Sequence, residues 1–197
     1  RTDRAAAYFK SQGINRGDYV MLILQRRYEF WISIVALHKI GASVIPATHM
    51  LTKDDIVYRN NAAKIKAIIA VNAGDILKHI EDSLAESPSL KTLIAVKANG
   101  IDQEFSAEEK QMHPLWKDFS EGLKNLTDDQ LNAFYNLSRN EISSNNDTML
   151  SYFTSGTTSH PKLVSHNFLY PLGHIVTASY WQQVKKGGLH LTVADTG

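Results

Sequence analysis

Residues 19–46 read YVMLILQRRYEFWISIVALHKIGASVIP, and the class of architecture follows from them. Tyr19 to Leu24 is a short, charge-free run rich in β-formers and apolar on both faces, the signature of a buried parallel strand. Tyr28 to Lys39 predicts a helix, with Phe30, Trp31, Ile34, Val35 and Leu37 covering a broad apolar face. Gly41 ends that helix, and Ala42–Ile45 predicts a second strand stopped by Pro46. A strand, a helix and another strand in immediate succession are the repeating unit of a parallel sheet covered by helices.

The same alternation continues in both directions. On the amino-terminal side, Ala5, Ala6, Tyr8 and Phe9 have helical spacing within residues 3–12, Gly13 is a C-terminal stop, and Asn15-Arg16-Gly17-Asp18 is a turn. On the other side, Thr52-Lys53-Asp54-Asp55 suits a capping box, in which Thr52 holds a free amide and Asp55 bonds back. Strands at Ala67–Val71 and Thr92–Val96 flank a helix at Asp75–Glu86. The expected fold class is therefore α/β: a mostly parallel sheet flanked by helices. Residues 97–146 change character. They are polar, contain the acidic stretch Glu104–Lys110, show no obvious strand, and predict helices near Pro114–Leu123 and Thr127–Leu137. We read them as a peripheral helical insert between an alternating half, 1–96, and a third segment, 147–197. That segment opens with a strand at Asp147–Phe153. It continues with a helix at Asn167–Trp181 that tolerates Pro171 in its first turn, and a strand at Leu189–Val193.

Composition narrows the function classes. Among 197 residues, 43% are hydrophobic and 21% charged, ordinary values for a globular domain with a real core. Twenty-one Lys and Arg against 20 acidic residues leave no electrostatic reason to expect nucleic acid or an anionic membrane as partner. No apolar run is long enough to span a membrane. The absence of cysteine removes disulfides, thiolate metal sites and a Cys nucleophile, and suits a reducing, cytoplasmic setting. Because Arg1 opens the chain inside an apparent helix and Gly197 closes it after an apparent strand, the expectation is a piece of a longer protein.

The chemistry concentrates in YFTSGTTSHPK, residues 152–162. Gly156 lets the backbone approach an anion closely, and successive amides in such a turn form a concave nest of N–H donors. Thr154, Ser155, Thr157, Thr158 and Ser159 add hydroxyl donors suited to phosphate oxygens. Lys162 adds one full positive charge, and Pro161 stiffens the exit. Loops rich in Ser, Thr and Gly are ordinarily just solvated. This one follows an apolar strand, ends in Lys, and runs into the apolar pair Leu163-Val164. A Walker A loop needs Gly-Lys-Ser/Thr followed by a helix; Pro161 before Lys162 and the extended Leu163-Val164-Ser165 do not supply it.

Residues 152–162 resemble the signature loop of the adenylate-forming superfamily, aromatic-Thr-Ser-Gly-Thr-Thr-Gly-x-Pro-Lys, which includes acyl-CoA synthetases, peptide-synthetase adenylation domains and luciferases. The departure is Ser159, where that pattern has Gly. Leu37 to Pro46 resembles the same superfamily's helix–Gly–strand–Pro element, and Val193-Ala194-Asp195-Thr196-Gly197 resembles a strand end that opens its acyl pocket. Tyr152-Phe153 together with Pro161 to His166 leans toward the acetyl- or medium-chain acyl-CoA branch.

The resemblance implies an ATP-dependent acid–thiol ligase. A carboxylate attacks the α-phosphate of Mg-ATP, and coenzyme A then displaces AMP from the acyl-adenylate. It assigns Thr154, Ser155, Gly156, Thr157, Thr158, Ser159 and Lys162 to nucleotide binding, with Lys162 also serving catalysis through its charge. ATP, Mg²⁺ and coenzyme A are the implied cofactors and cosubstrates, and a small carboxylate is the implied partner. The superfamily's adenine loop, Mg²⁺-side Thr-Glu pair, ribose-binding Asp and C-terminal domain with its catalytic Lys all come after the signature loop. The chain on its own is accordingly expected not to complete catalysis. Two other readings stand beside this one: a binding module that holds ATP or acyl-adenylate without turnover, which Ser159 favours, and a kinase releasing ADP. No protein-held metal is expected, since His160, His166 and His174 lack both metal-ligand spacing and Cys partners. Trp31 and Phe30 are expected in the core.

Overall fold

The computed structural model of the chain describes residues 1–100, 102–140, 143–154 and 160–191. In chain order the elements are α1 (Thr2–Ser11), β1 (Tyr19–Ile23), α2 (Tyr28–Lys39), β2 (Ser43–Pro46), α3 (Lys53–Ala63), β3 (Ala67–Asn72) and α4 (Ile76–Ser83), which tightens into a 3₁₀ turn at Leu84–Glu86. There follow β4 (Thr92–Lys97), α5 (Ala107–Met112), β5 (Lys117–Asp118), α6 (Phe119–Lys124), α7 (Asp128–Asn140), β6 (Thr148–Thr154), β7 (Lys162–Asn167) and α8 (Tyr170–Val176), which passes into a π-helical turn at Thr177–Trp181. The seven strands form one sheet in the order β5-β4-β3-β1-β2-β6-β7. Every neighbouring pair is parallel except β6–β7, which is antiparallel. After β2 the chain crosses to the other flank of β1, so the strand order reverses between β1 and β3, as in doubly wound sheets.

Strand periodicity of two sorts the side chains onto two faces. Val20, Leu22 and Leu24 point to one side, where Phe9 of α1, Phe30 and Leu37 of α2, Phe119 of α6 and Phe134 of α7 complete a core. Met21 and Ile23 point to the other, against Ile56 of α3, Leu77 and Ile80 of α4, and Phe105 and Trp116. Both faces are covered, which is why the parallel strands carry no polar alternation. From the insert, Trp116 joins one core and Phe119, Leu126 and Phe134 the other.

The structure departs from the sequence expectations at several points. Lys117–Asp118 pairs in parallel with Ile94–Ala95, so the insert does contribute a strand. The helix expected from Pro114 starts at Phe119, because the Asp118 carboxylate accepts from the amide of Glu121 and fixes the N-cap there. The preceding residues are held instead by Trp116, whose indole N–H donates to Glu81 at 2.8 Å. A further helix, α5, opens with a capping box between Ser106 and Glu109. Phe30 is buried as expected, but Trp31 is 61% exposed, so the apolar face of α2 is narrower than its composition. Asn167 still pairs within the sheet, opposite Thr148, so α8 begins at Tyr170 with Pro171 in its first turn. Leu189–Leu191 forms no strand, and 192–197, with the rest of the expected strand and the Val193–Gly197 resemblance, lies outside the described residues. The capping box at Thr52 is present, with Thr52 Oγ1 accepting from Asp55 N and the Asp55 carboxylate accepting from Thr52 N.

Candidate functional site

β6 joins the sheet through β2, and the two run parallel. Its last residue, Thr154, therefore emerges at the carboxyl edge of the parallel strands, the edge at which open α/β sheets bind ligands. β7 returns antiparallel, with Lys162 directly opposite Thr154. The segment between them is the predicted phosphate loop. Ser155, Gly156, Thr157, Thr158 and Ser159 lie outside the described residues; Thr154 and Lys162, its two ends, are described. The Thr154 hydroxyl donates to the Lys162 carbonyl at 3.4 Å, closing the base of the loop. Both side chains are exposed, and among the described residues no carboxylate pairs with Lys162. The Lys162 ammonium is thus uncompensated among the described residues.

The base of the loop rests on α3. Phe153 and Leu163, one on each leg, turn toward the face that carries α3. Tyr58 of that helix donates its hydroxyl to the Pro161 carbonyl at 2.8 Å. Its ring stacks on His160, with centroids 4.8 Å apart and planes 20° from parallel, and meets the edge of Phe153 at 6.2 Å. The neighbouring Arg59 holds its guanidinium 5.3 Å from the Phe153 ring centre and reaches the Asp55 carboxylate at 3.3 Å. The Thr52 hydroxyl, with Arg59 adding charge, keeps the Asp55 carboxyl below its ordinary range. Sequence reading missed Tyr58 and Arg59. The available signal was their position on the helix that leaves β2, the strand to which β6 pairs.

At the other end of the β6–β7 pair the chemistry is different. Ser151 and Ser165 share a hydrogen bond of 2.8 Å across the two strands, and His166 packs 4.0 Å from Tyr170. A cavity of about 390 Å³ lies there, lined by Thr148, Ser165, His166, Asn167 and Tyr170 together with Asn146. Burial raises the Tyr152 phenol above its ordinary value nearby. His166 is thus separated from Lys162 by the length of β7, and the structure does not bring it to the loop. A second cavity, of about 460 Å³, involves Arg1, Arg4, Tyr28, Asp102 and Lys124 and contains none of the predicted residues. Among the described residues no three His, Asp or Glu side chains converge on a common point, and no helix is long and apolar enough to cross a membrane.

With this geometry in view, the comparisons with known proteins agree with one another. A family model described as AMP-binding enzyme matches residues 1–193. The chain is 31% identical over 186 residues to acyl-coenzyme A synthetase ACSM5, mitochondrial, of Rattus norvegicus, covering 94% of this chain and 28% of that protein. It is also 31% identical over 189 residues to acyl-coenzyme A synthetase ACSM4, mitochondrial, of Mus musculus, covering 95% and 29% respectively. The chain thus spans under a third of the length of the curated relatives it matches. Among solved structures, the luciferase-like enzyme of the nonluminescent Zophobas morio mealworm superposes with a TM-score of 0.68 at 22% identity, covering 91% of this chain and 37% of that one. A Mycobacterium tuberculosis fatty acyl CoA synthetase gives 0.61 at 18% identity, covering 85% and 27%. These two likenesses concern the fold.

Proposed function

We propose, on the premise that the chain belongs to the AMP-binding enzyme family, that it forms the triphosphate-gripping part of an ATP-dependent acid–thiol ligase of the acyl-CoA synthetase type. The observation that carries this reading is the pairing of Thr154 with Lys162 at the carboxyl edge of the sheet, with the ammonium free of any described carboxylate. In this reading Thr154, Ser155, Gly156, Thr157, Thr158 and Ser159 surround the β- and γ-phosphates with amides and hydroxyls. Lys162 supplies the charge that offsets what accumulates on the departing pyrophosphate when a carboxylate attacks the α-phosphate. Donors already oriented need no reorganisation as that charge develops, so they lower the barrier electrostatically. No covalent bond to the protein is required. Coenzyme A then takes the acyl group and AMP leaves.

A loop of hydroxyls beside an ammonium offers no carboxylate cage, so Mg²⁺ fits here as an ion carried on the phosphates; it would neutralise part of their charge when bound. The adenine, ribose and thiol subsites belong, in this proposal, to polypeptide beyond this chain, in line with its share of the relatives' length. Absence of cysteine suits the cytoplasm, and equally the mitochondrial setting printed in the names of those relatives.

The test is carboxylate-dependent release of pyrophosphate and AMP by the intact polypeptide. Lys162→Ala should lower kcat/KM for ATP by about 10²-fold or more, the scale for removing one preorganised donor at a developing charge. The 197-residue chain alone should stay inert. Unchanged nucleotide cleavage in Lys162→Ala would remove the reading, and ADP as product would replace it with a kinase. Ser159, standing where the superfamily pattern has Gly, favours a second reading in which the loop holds nucleotide without turnover. Tight ATP binding with no AMP from any carboxylate would establish that alternative.

A further inference from the structure

We infer that Tyr58 is a positioning residue for the loop, a clamp on α3 that holds both legs in the spacing the triphosphate needs. The inference rests on the reading of 154–162 as a phosphate cradle, and extends it to a helix that the sequence pattern leaves outside the site.

Three contacts converge on one side chain. The Tyr58 hydroxyl bonds to Pro161 at 2.8 Å, its face lies on His160, and its flank meets Phe153. Phe153 stands one residue before Thr154, and Pro161 one residue before Lys162, so a single phenol touches the strand entering the loop and the segment leaving it. Pro161 has no N–H to donate and a fixed φ, which makes its carbonyl the natural handle at that point. The helix that presents Tyr58 is itself fixed. The Thr52–Asp55 capping box closes its first turn, Asn60 donates to the Ser87 hydroxyl at 3.0 Å, and Arg59 lies over Phe153.

The energetic role is one of order rather than of fold stability. Holding a backbone segment in one conformation costs conformational entropy, and a site whose flanks are not fixed beforehand passes that cost to the ligand. A clamp that holds the legs beforehand removes part of it. Pro161 is only half-buried, so loss of the Tyr58 hydroxyl should carry a limited penalty to the folded state. The expected signature is therefore weaker nucleotide binding in a protein that stays folded.

The experiment compares Tyr58→Phe, Tyr58→Leu and His160→Gly in the intact polypeptide, with Lys162→Ala as reference. It measures KM for ATP and for the carboxylate, kcat of pyrophosphate release, ATP affinity by calorimetry, and melting temperature. Tyr58→Phe, which keeps the ring and loses one hydrogen bond, should raise KM and Kd for ATP about fivefold. Tyr58→Leu, which also loses the stack, should raise them about twentyfold. His160→Gly, which removes the ring that Tyr58 stacks on, should resemble Tyr58→Phe. The carboxylate KM and melting temperature should stay near wild type throughout. If both Tyr58 variants keep wild-type ATP affinity while Lys162→Ala is impaired, the clamp is wrong and the cradle stands. Equal loss of affinity and melting temperature would reduce Tyr58 to a packing residue. A wild-type protein that neither turns over nor binds ATP would overturn the clamp and the cradle together.

Discussion

His38 places an imidazole between α2 and the start of β6, where its Nε2 lies 3.1 Å from the Met149 carbonyl. Burial is the larger influence on it and pushes its pKa below the ordinary 6.5, although the carbonyl acts the other way. The folded state thus prefers the neutral ring more than the unfolded chain does. The stability this contributes is present above pH 6.5, and falls as the pH drops through the unfolded and then the folded pKa. We expect denaturant midpoints to decline between pH 7 and pH 5, and His38→Gln, which keeps an Nε donor without a titratable ring, to flatten that decline. An identical slope in the variant would assign the acid sensitivity elsewhere. At this scale the sequence was uneven in what it disclosed. Thr154 and Lys162 were legible because a contiguous pattern names them. Tyr58 was not, since the residue it holds is 103 positions away. Trp31 misled, because its size argued for burial while its place on α2 turns it outward.

Helices α1 and α6 meet at closer range than side chains usually permit. Gly122 on α6 faces the Tyr8 ring on α1, and a Cβ added there would come within 2.2 Å of the ring's Cζ. Tyr8 is buried and bonds through its hydroxyl to the Asp118 carbonyl at 3.4 Å, so moving the ring would break that bond. Gly122→Ala gains helix propensity but must displace that ring, and we expect a net loss of about 1–3 kcal/mol, the range for overpacking. Chemical denaturation measures it, and a stabilised variant would mean that Tyr8 swings aside freely. The elements of the alternating half could be read ahead of the structure because each strand is a continuous apolar run and the helices carry periodicity or start and stop signals, such as the Thr52 capping box. β5 could not, having only two residues and no period to detect. α5 announces itself only through Ser106 and Glu109 spaced three apart, a signal overshadowed by the surrounding acidic run.

For the molecule as a whole, the sheet is covered on both faces from β4 to β2, and the covering thins beyond β6. Leu172, Ile175, Val176, Tyr180 and Trp181 are all exposed by 58% or more. Neighbouring exposed apolar side chains of this kind form a sticky surface, in a chain spanning under a third of its relatives' length. Expressed alone, the 197-residue chain should bind a hydrophobic fluorescent dye while keeping native-like circular dichroism, and Leu172→Ser with Ile175→Ser should reduce the binding. Dye binding that survives both changes would locate the surface elsewhere. Fold class was legible at this scale, whereas strand order was not. Periodicity says which face a residue occupies but never which strand lies beside it, and the reversal at β6–β7 depends on a loop short enough to turn back. That reversal also bears on the timing of folding. β6 and β7 are neighbours in sequence and can zip together locally, on the microsecond scale typical of hairpins. Val44 of β2 and Leu150 of β6, in contrast, meet only after a long intervening stretch has been closed. The two strands that bracket the loop can therefore pair as soon as they leave the ribosome, and the older part of the sheet receives them already joined.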